Sequence, residues 1–156
     1  MMALSTVSHT GVKVAEILIV EPDQRLADTI AEHVRAHLGV SAIIAGSLDA
    51  AQEAFSAKQQ NIAAVVLNLG LSPDNYIPFP QIPTIVVTNG VPTSGKKIAF
   101  APNVLDYLPD CQGDHLQYIV QLLRRVLFSQ NPGILIAARE KVIRTFVRKL
   151  LAEKGY

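Results

Sequence analysis

Only a few side chains in this chain have types and spacings that could do chemistry. Glu21 and Asp23 follow the apolar run at 17–20, separated by Pro22. Two carboxylates can hold a cation, but Mg²⁺ wants more oxygen ligands, so Mg²⁺ binding is expected to be weak or absent. Glu21 reads equally well as a charge favoured by the positive end of a following helix. A second group is GVPTSGKK, running from Gly90 to Lys97 after the strand-like TIVVT. It fits G-x-x-x-x-G-K, in which backbone N–H groups surround a phosphate, here with Gly90, Gly95 and Lys96 as contacts. Lys97 stands where Ser or Thr would hold Mg²⁺, Pro102 stops any following helix within a turn or two, and the neighbouring apolar run ends in Asn68 rather than an acid. Each of these weakens a phosphate site. His33 and His37 lie one helical turn apart, the spacing of two zinc ligands, but no third ligand is near in sequence. His33 therefore reads as a half-buried structural histidine, and no metal is assigned. Cys111 is the only cysteine, which excludes an intrachain disulfide and fits a reduced, cytoplasmic setting.

Hydropathy shows what must position these residues. Strand-sized runs rich in Val, Ile and Leu occur at 16–20, 40–45, 63–67, 84–88 and 104–108. None alternates with polar residues, which is the look of strands buried on both faces in a parallel sheet. Leu26, Ile30, Val34 and Leu38 step by four along one helix. Ser47 can cap a second at 48–58, with Asp49 near its positive end, and Asp114 can cap a third whose stripe is Leu116, Ile119, Val120, Leu123 and Leu127. Alternating strands and helices predict a doubly wound α/β sheet with right-handed crossovers. Between Leu69 and Pro83, three prolines (Pro73, Pro78 and Pro80) leave a long loop where a regular fold places a helix.

Composition supports one sizeable core. The 156 residues are 49% hydrophobic and 17% charged, against roughly 25% charged in an average domain. Fourteen basic and thirteen acidic residues give a net charge of +1, which carries no nucleic-acid footprint. No apolar run approaches the roughly 18 residues that span a bilayer. Residues 1–13 read as a flexible leader and 14–130 as the main domain. Residues 131–156 repeat the start of that domain: ILIAAREKVIRTFVRKLLAEKGY follows ILIVEPDQRLADTIAEHVRAHLGV at an offset of 117 from Ile17 to Ile134. Ile143 then matches Leu26, and Val147 matches Ile30. The repeat predicts the first strand and helix of a second, truncated unit, hinged at Asn131, Pro132 and Gly133.

With these elements in order, the chain resembles the receiver domain of bacterial two-component response regulators. ILIVEPD, AAVVLNLGLSPD, PTIVVTNG and VLDYLPD carry the likeness, in the family's order and spacing. It covers 16–129 and again 133–156, and the second start is similar to tandem-receiver regulators, some of which end in a cyclic-dinucleotide synthesising domain. The resemblance implies the flavodoxin-like receiver fold, a five-stranded parallel sheet of order 2-1-3-4-5 with its site beyond the strands' carboxyl ends. Receivers place an acid pair after strand one, a phosphoacceptor aspartate after strand three, Thr or Ser after strand four and Lys after strand five. Phosphoryl transfer needs these types: an oxygen nucleophile, Mg²⁺, and donors to the transferred group.

This chain departs at most of those positions. Asn68 stands at the phosphoacceptor position, and an amide oxygen is a poor nucleophile. Glu21 and Asp23 are what remains of the acidic pocket, with Pro22 in the second acid's place. Pro109 or Asp110 stands where the lysine belongs, and in the repeat the acid pair reads Ala138-Arg139. Thr88 and Tyr107, the family's switch pair, are kept. Asn68 reads also as a strand-end residue bonding a turn, and Thr88 and Tyr107 as packing. The resemblance implies a phosphorylation-independent, non-enzymatic signalling module with protein partners, dimerising through the segment between Asn89 and Pro102, strand five and the last helix. The alternative is a nucleotide- or small-ligand-binding α/β domain using the Gly90 loop. The half-repeat is expected to pack on a neighbouring chain.

Overall fold

The computed structural model describes residues 14–89, 101–128 and 141–153. The leader, the loop from Gly90 to Lys97, the hinge, the strand expected at 134–136 and Ala138-Arg139 lie outside the described residues. Five strands, β1 (Glu16–Val20), β2 (Ser41–Ala45), β3 (Ile62–Asn68), β4 (Thr84–Val87) and β5 (Val104–Leu108), form one sheet of order β2-β1-β3-β4-β5. Every pairing is parallel. Helices α1 (Gln24–Leu38), α2 (Leu48–Lys58) and α3 (Gly113–Phe128) flank the strands, and α4 (Lys141–Glu153) follows.

The uninterrupted apolar runs are explained by burial on two faces. Ile17, Ile19, Ala64, Val66, Ile85 and Val87 point to α1 and α3, while Leu18, Val20, Val65, Leu67 and Val86 point to α2 and the loop after β3. Successive side chains alternate between faces, so both sets are apolar only when both faces are covered. Ile30, Val34 and Leu38 of the α1 stripe are buried as their spacing predicts, while Leu26 is half-buried and Ala27 takes the fully buried place in the first turn. Gly39 ends α1 at φ 67, where a residue without Cβ is at ease, and returns its N–H to Arg35 O.

The loop 69–83 holds two 3₁₀ turns, Leu69–Leu71 and Pro73–Asn75, instead of a regular helix. Ile77 and Phe79 supply the missing cover, at 6% and 5% exposure. Phe79 takes φ 59 to do so, and its ring meets Phe55 at 4.5 Å between centroids. A strained φ costs about 1–3 kcal/mol, and burying Phe returns about as much, so the loop is held by this plug.

Four boundaries differ from the sequence expectations, and the first is β3, which runs Ile62–Asn68, one residue further at each end than 63–67. Asp114 does not cap α3 but lies in its first turn, because the helix begins at Gly113, two residues before the start that an Asp114 cap would give. The fourth strand stops at Val87 rather than Thr88, because Asn89 turns the chain away at φ 43. The second begins at Ser41, after the left-handed Gly39 has redirected the chain.

Candidate functional site

The sheet register brings the candidate residues together. Val20 pairs with Leu67, and Asn68 pairs with Val87. The next residues along each strand, Glu21, Asn68 and Thr88, therefore meet at the carboxyl ends of β1, β3 and β4. Glu21 is buried at 4% exposure and Asn68 at 7%. The Glu21 N–H donates to Ala45 O at 3.0 Å, so the backbone stays on the sheet one residue past β1.

The Glu21 carboxylate is met by amide donors. Oε1 accepts from Asp23 N at 2.9 Å. Oε2 accepts from Asn68 Nδ2 at 2.9 Å and from Asn89 Nδ2 at 3.5 Å. Asn68 Oδ1 in turn accepts from Gly70 N at 2.9 Å, which starts the first 3₁₀ turn. The carboxylate can only accept and the Gly70 N–H can only donate, so both ends fix the orientation of the amide. A carboxylate at this position would face Glu21 with no proton to offer and would need a cation between them.

Asp23 does not join Glu21 as a ligand pair. It is the N-cap of α1, and its Oδ1 accepts from Arg25 N at 3.0 Å and Leu26 N at 3.3 Å. Thr88 directs both its groups at the end of β5: its N donates to Leu108 O at 2.8 Å and its Oγ1 at 3.2 Å. Tyr107 is half-buried beside the cluster that contains Ile77 and Phe79, and burial pushes its hydroxyl pKa up. Asp110 is, with Pro109, one of the two residues read at the position where the resemblance expects a lysine. It accepts from Gln112 N at 3.0 Å and is 2.8 Å from His115 Nδ1. The Gln112 N–H first, and His115 second, hold its carboxyl below the usual range.

Mg²⁺ does not fit this donor set. Both Glu21 oxygens and the Asn68 oxygen already face N–H groups, and Asp23 is turned into a helix cap. Among the described residues no group of three or more His, Cys, Asp or Glu could hold a metal ion. His33 is half-buried with Nδ1 3.1 Å from Thr29 O, and its ring centroid is 5.7 Å from that of His37. Sequence reasoning missed Asn89 and the Asp110–His115 pair. Asn89 carried a usable signal, an amide directly after the expected end of the fourth strand.

Cys111 lies beneath this end of the sheet at 1% exposure. Burial first, then the charges of Glu21, Asp110 and Asp23, push its thiol up to about 12. It is a core side chain and not a nucleophile.

No protein-family model matches the sequence, and no curated protein is significantly similar to it. Solved structures do match. An orphan response regulator of H. pylori is 18% identical with a TM-score of 0.57, over 72% of this chain and 96% of its own. A response regulator receiver protein from Burkholderia phymatum is 20% identical with a TM-score of 0.57, over 76% and 99%. An atypical orphan response regulator, described as having a phosphorylation-independent regulatory mechanism, is 17% identical with a TM-score of 0.54, over 76% and 99%. These similarities, with the sheet order, establish the flavodoxin-like receiver fold. No helix among the described residues is long and apolar enough to cross a membrane.

Two outcomes follow from the geometry. Asn68→Asp lowers the unfolding free energy in urea by about 1–3 kcal/mol without metal, and Mg²⁺ restores part of it; equal stability of the two chains would show that Asn68 does not hold Glu21. The folded Cys111 keeps its proton between about pH 9 and 12 while the unfolded chain loses it. Stability present below the unfolded thiol pKa is therefore lost as pH rises toward the folded value, by up to about 1.4 kcal/mol per pH unit. Urea unfolding from pH 8 to 10 (roughly the start of that window) falls more steeply for wild type than for Cys111→Ala.

Proposed function

We propose that this chain is a signal-transduction receiver module of the response-regulator type that works without phosphorylation. It keeps the scaffold, performs no catalysis and acts in the cytoplasm through protein contacts. The carrying observation is the 2.9 Å bond from Asn68 Nδ2 to Glu21 Oε2. On this reading Asn68 is a neutral donor at the phosphoacceptor position, and its bond satisfies the acidic residue with no cation. With Pro109 or Asp110 at the lysine position, the second charge that a phosphoryl group needs is missing. A phosphorylation-independent mechanism described for one structural neighbour supports the same reading.

The contact surface we favour is β5 with α3, where Leu105 and Phe128 are 40% and 61% exposed. The half-repeat favours self-association. On α4, Phe146 and Leu150 are 63% and 45% exposed, and apolar side chains of this size gain about 1.5–3 kcal/mol each on full burial. A second copy of the chain is the partner we propose for it.

Acetyl phosphate, or beryllofluoride with Mg²⁺, is expected to change neither the mass nor the amide spectra of the chain. Asn68→Asp restores little acylphosphate, because the lysine and the second acid are still missing. A stable adduct of about 80 Da on wild type, the mass of a phosphoryl group, refutes the reading. Light scattering on residues 1–156 is expected to give a dimer or larger. A chain ending at Gln130 stays folded and associates more weakly. Equal monomers at high concentration would place the half-repeat on its own domain instead.

A further inference from the structure

The amides that hold Glu21 differ in chemical durability. Of the chain's six asparagines only Asn89 is followed by glycine. Asn89 is exposed, sits just past β4 with φ 43, and has its Nδ2 3.5 Å from Glu21 Oε2. Glycine has no side chain to keep its backbone nitrogen away from the preceding side-chain carbonyl, and its backbone turns freely. Asn68 is the opposite in every respect. It precedes Leu69, it is 7% exposed, and both its amide atoms are engaged within the sheet end.

We propose that Asn89 is a deamidation site, and that its conversion places a new carboxylate beside Glu21 and loosens this end of the sheet. The backbone nitrogen of residue 90 attacks the Asn89 side-chain carbonyl carbon. The bond from that carbon to Nδ2 breaks, and Nδ2 leaves as ammonia with the proton released by the attacking nitrogen. Water then opens the cyclic imide at either carbonyl, giving aspartate or isoaspartate. Water is the only co-reactant, and nothing is oxidised or reduced.

The product changes the local electrostatics in one direction. Glu21 loses one of its N–H donors and gains a like charge at close range in a half-buried place. The Asn68 bond and the Asp23 N–H remain, so the fold persists while the lock weakens. The change acts where β4 hands over to Thr88, which ties β4 to β5.

Incubating the full chain in warm, mildly alkaline buffer and mapping peptides by mass tests the chemistry. The expected result is a gain of about one dalton per event, located at position 89, with Asn68 unchanged. No gain at 89, or a faster gain at Asn68, overturns the site. Thermal unfolding of Asn89→Asp tests the consequence. Its Tm is expected to fall by about 2–5 °C, and the fall should shrink by at least half in a Glu21→Gln background. If the double variant does not fold, salt substitutes for it, because screening should recover part of the Tm. An unchanged Tm, or a fall of equal size without the Glu21 charge and in high salt, overturns the electrostatic consequence.

Discussion

A carboxylate cannot be buried in a sheet end without partners, and Glu21 is buried there. That single requirement organises the carboxyl side of the molecule. Isolated ionised groups in low dielectric cost several kcal/mol, so each lone pair must meet a donor. Three donors come from three places: the Asp23 backbone at the mouth of α1, Asn68 at the end of β3 and Asn89 after β4. The parallel register makes this possible, since Val20 beside Leu67 sets Glu21 beside Asn68. The Asn68 amide then faces two ways, holding the carboxylate with its nitrogen and the Gly70 turn with its oxygen. A neutral amide thus does electrostatically what a cation between two acids would otherwise have to do.

The scaffold does not depend on the identity of this pair. The core residues of the two faces lie below the site, and the largest fully buried ones, such as Ile17, Leu18, Ile85 and Ile119, are apolar. The fold can therefore stand without an acidic cluster at this end, provided the buried Glu21 is not left unsatisfied. The proline-rich loop makes the same point on the far face. Pro73, Pro78 and Pro80 forbid a regular helix, yet Ile77 and Phe79 cover the sheet as a helix stripe would. What the fold needs there is apolar area over Val65 and Val86, in whatever backbone conformation supplies it.

Local pattern made the frame legible. Unbroken Val, Ile and Leu runs located β1 and β5 to the residue, and Ser47 marked the start of α2, where its side chain accepts from Ala50 N. The errors came where one residue's backbone geometry decides a boundary, as at Gly39 and Asn89. Half of the candidate site was legible too, because position along a strand told which residues reach the carboxyl end. The rest was not, because it lies in contacts between residues far apart in sequence. Glu21 and Asn68 are 47 residues apart, and Glu21 and Asn89 are 68 apart. No spacing rule announces that Asp23 turns away to cap a helix while Glu21 turns inward, although both are carboxylates at the same strand end.

The same geometry bears on how such a module could change state. A switch needs two arrangements that bind some ligand differently, and the ligand can shift the balance only by that difference. In a phosphorylated receiver, the resemblance implies, the difference is a new charge on the strand-three residue that the switch pair senses. Here the Thr88 backbone N–H and hydroxyl both donate to Leu108 O, the last carbonyl of β5, and no acceptor forms at Asn68 to compete for them. Tyr107, one residue earlier on β5, is half-buried. On the proposed reading, the bias on β4 and β5 has to come from outside the pocket. Binding at Leu105 on β5 would bear on a strand joined through Leu108 to Thr88, and through the adjoining Asn89 to Glu21. On that proposal the amide lock sets a fixed reference state, and a docked partner would have to supply the differential contacts.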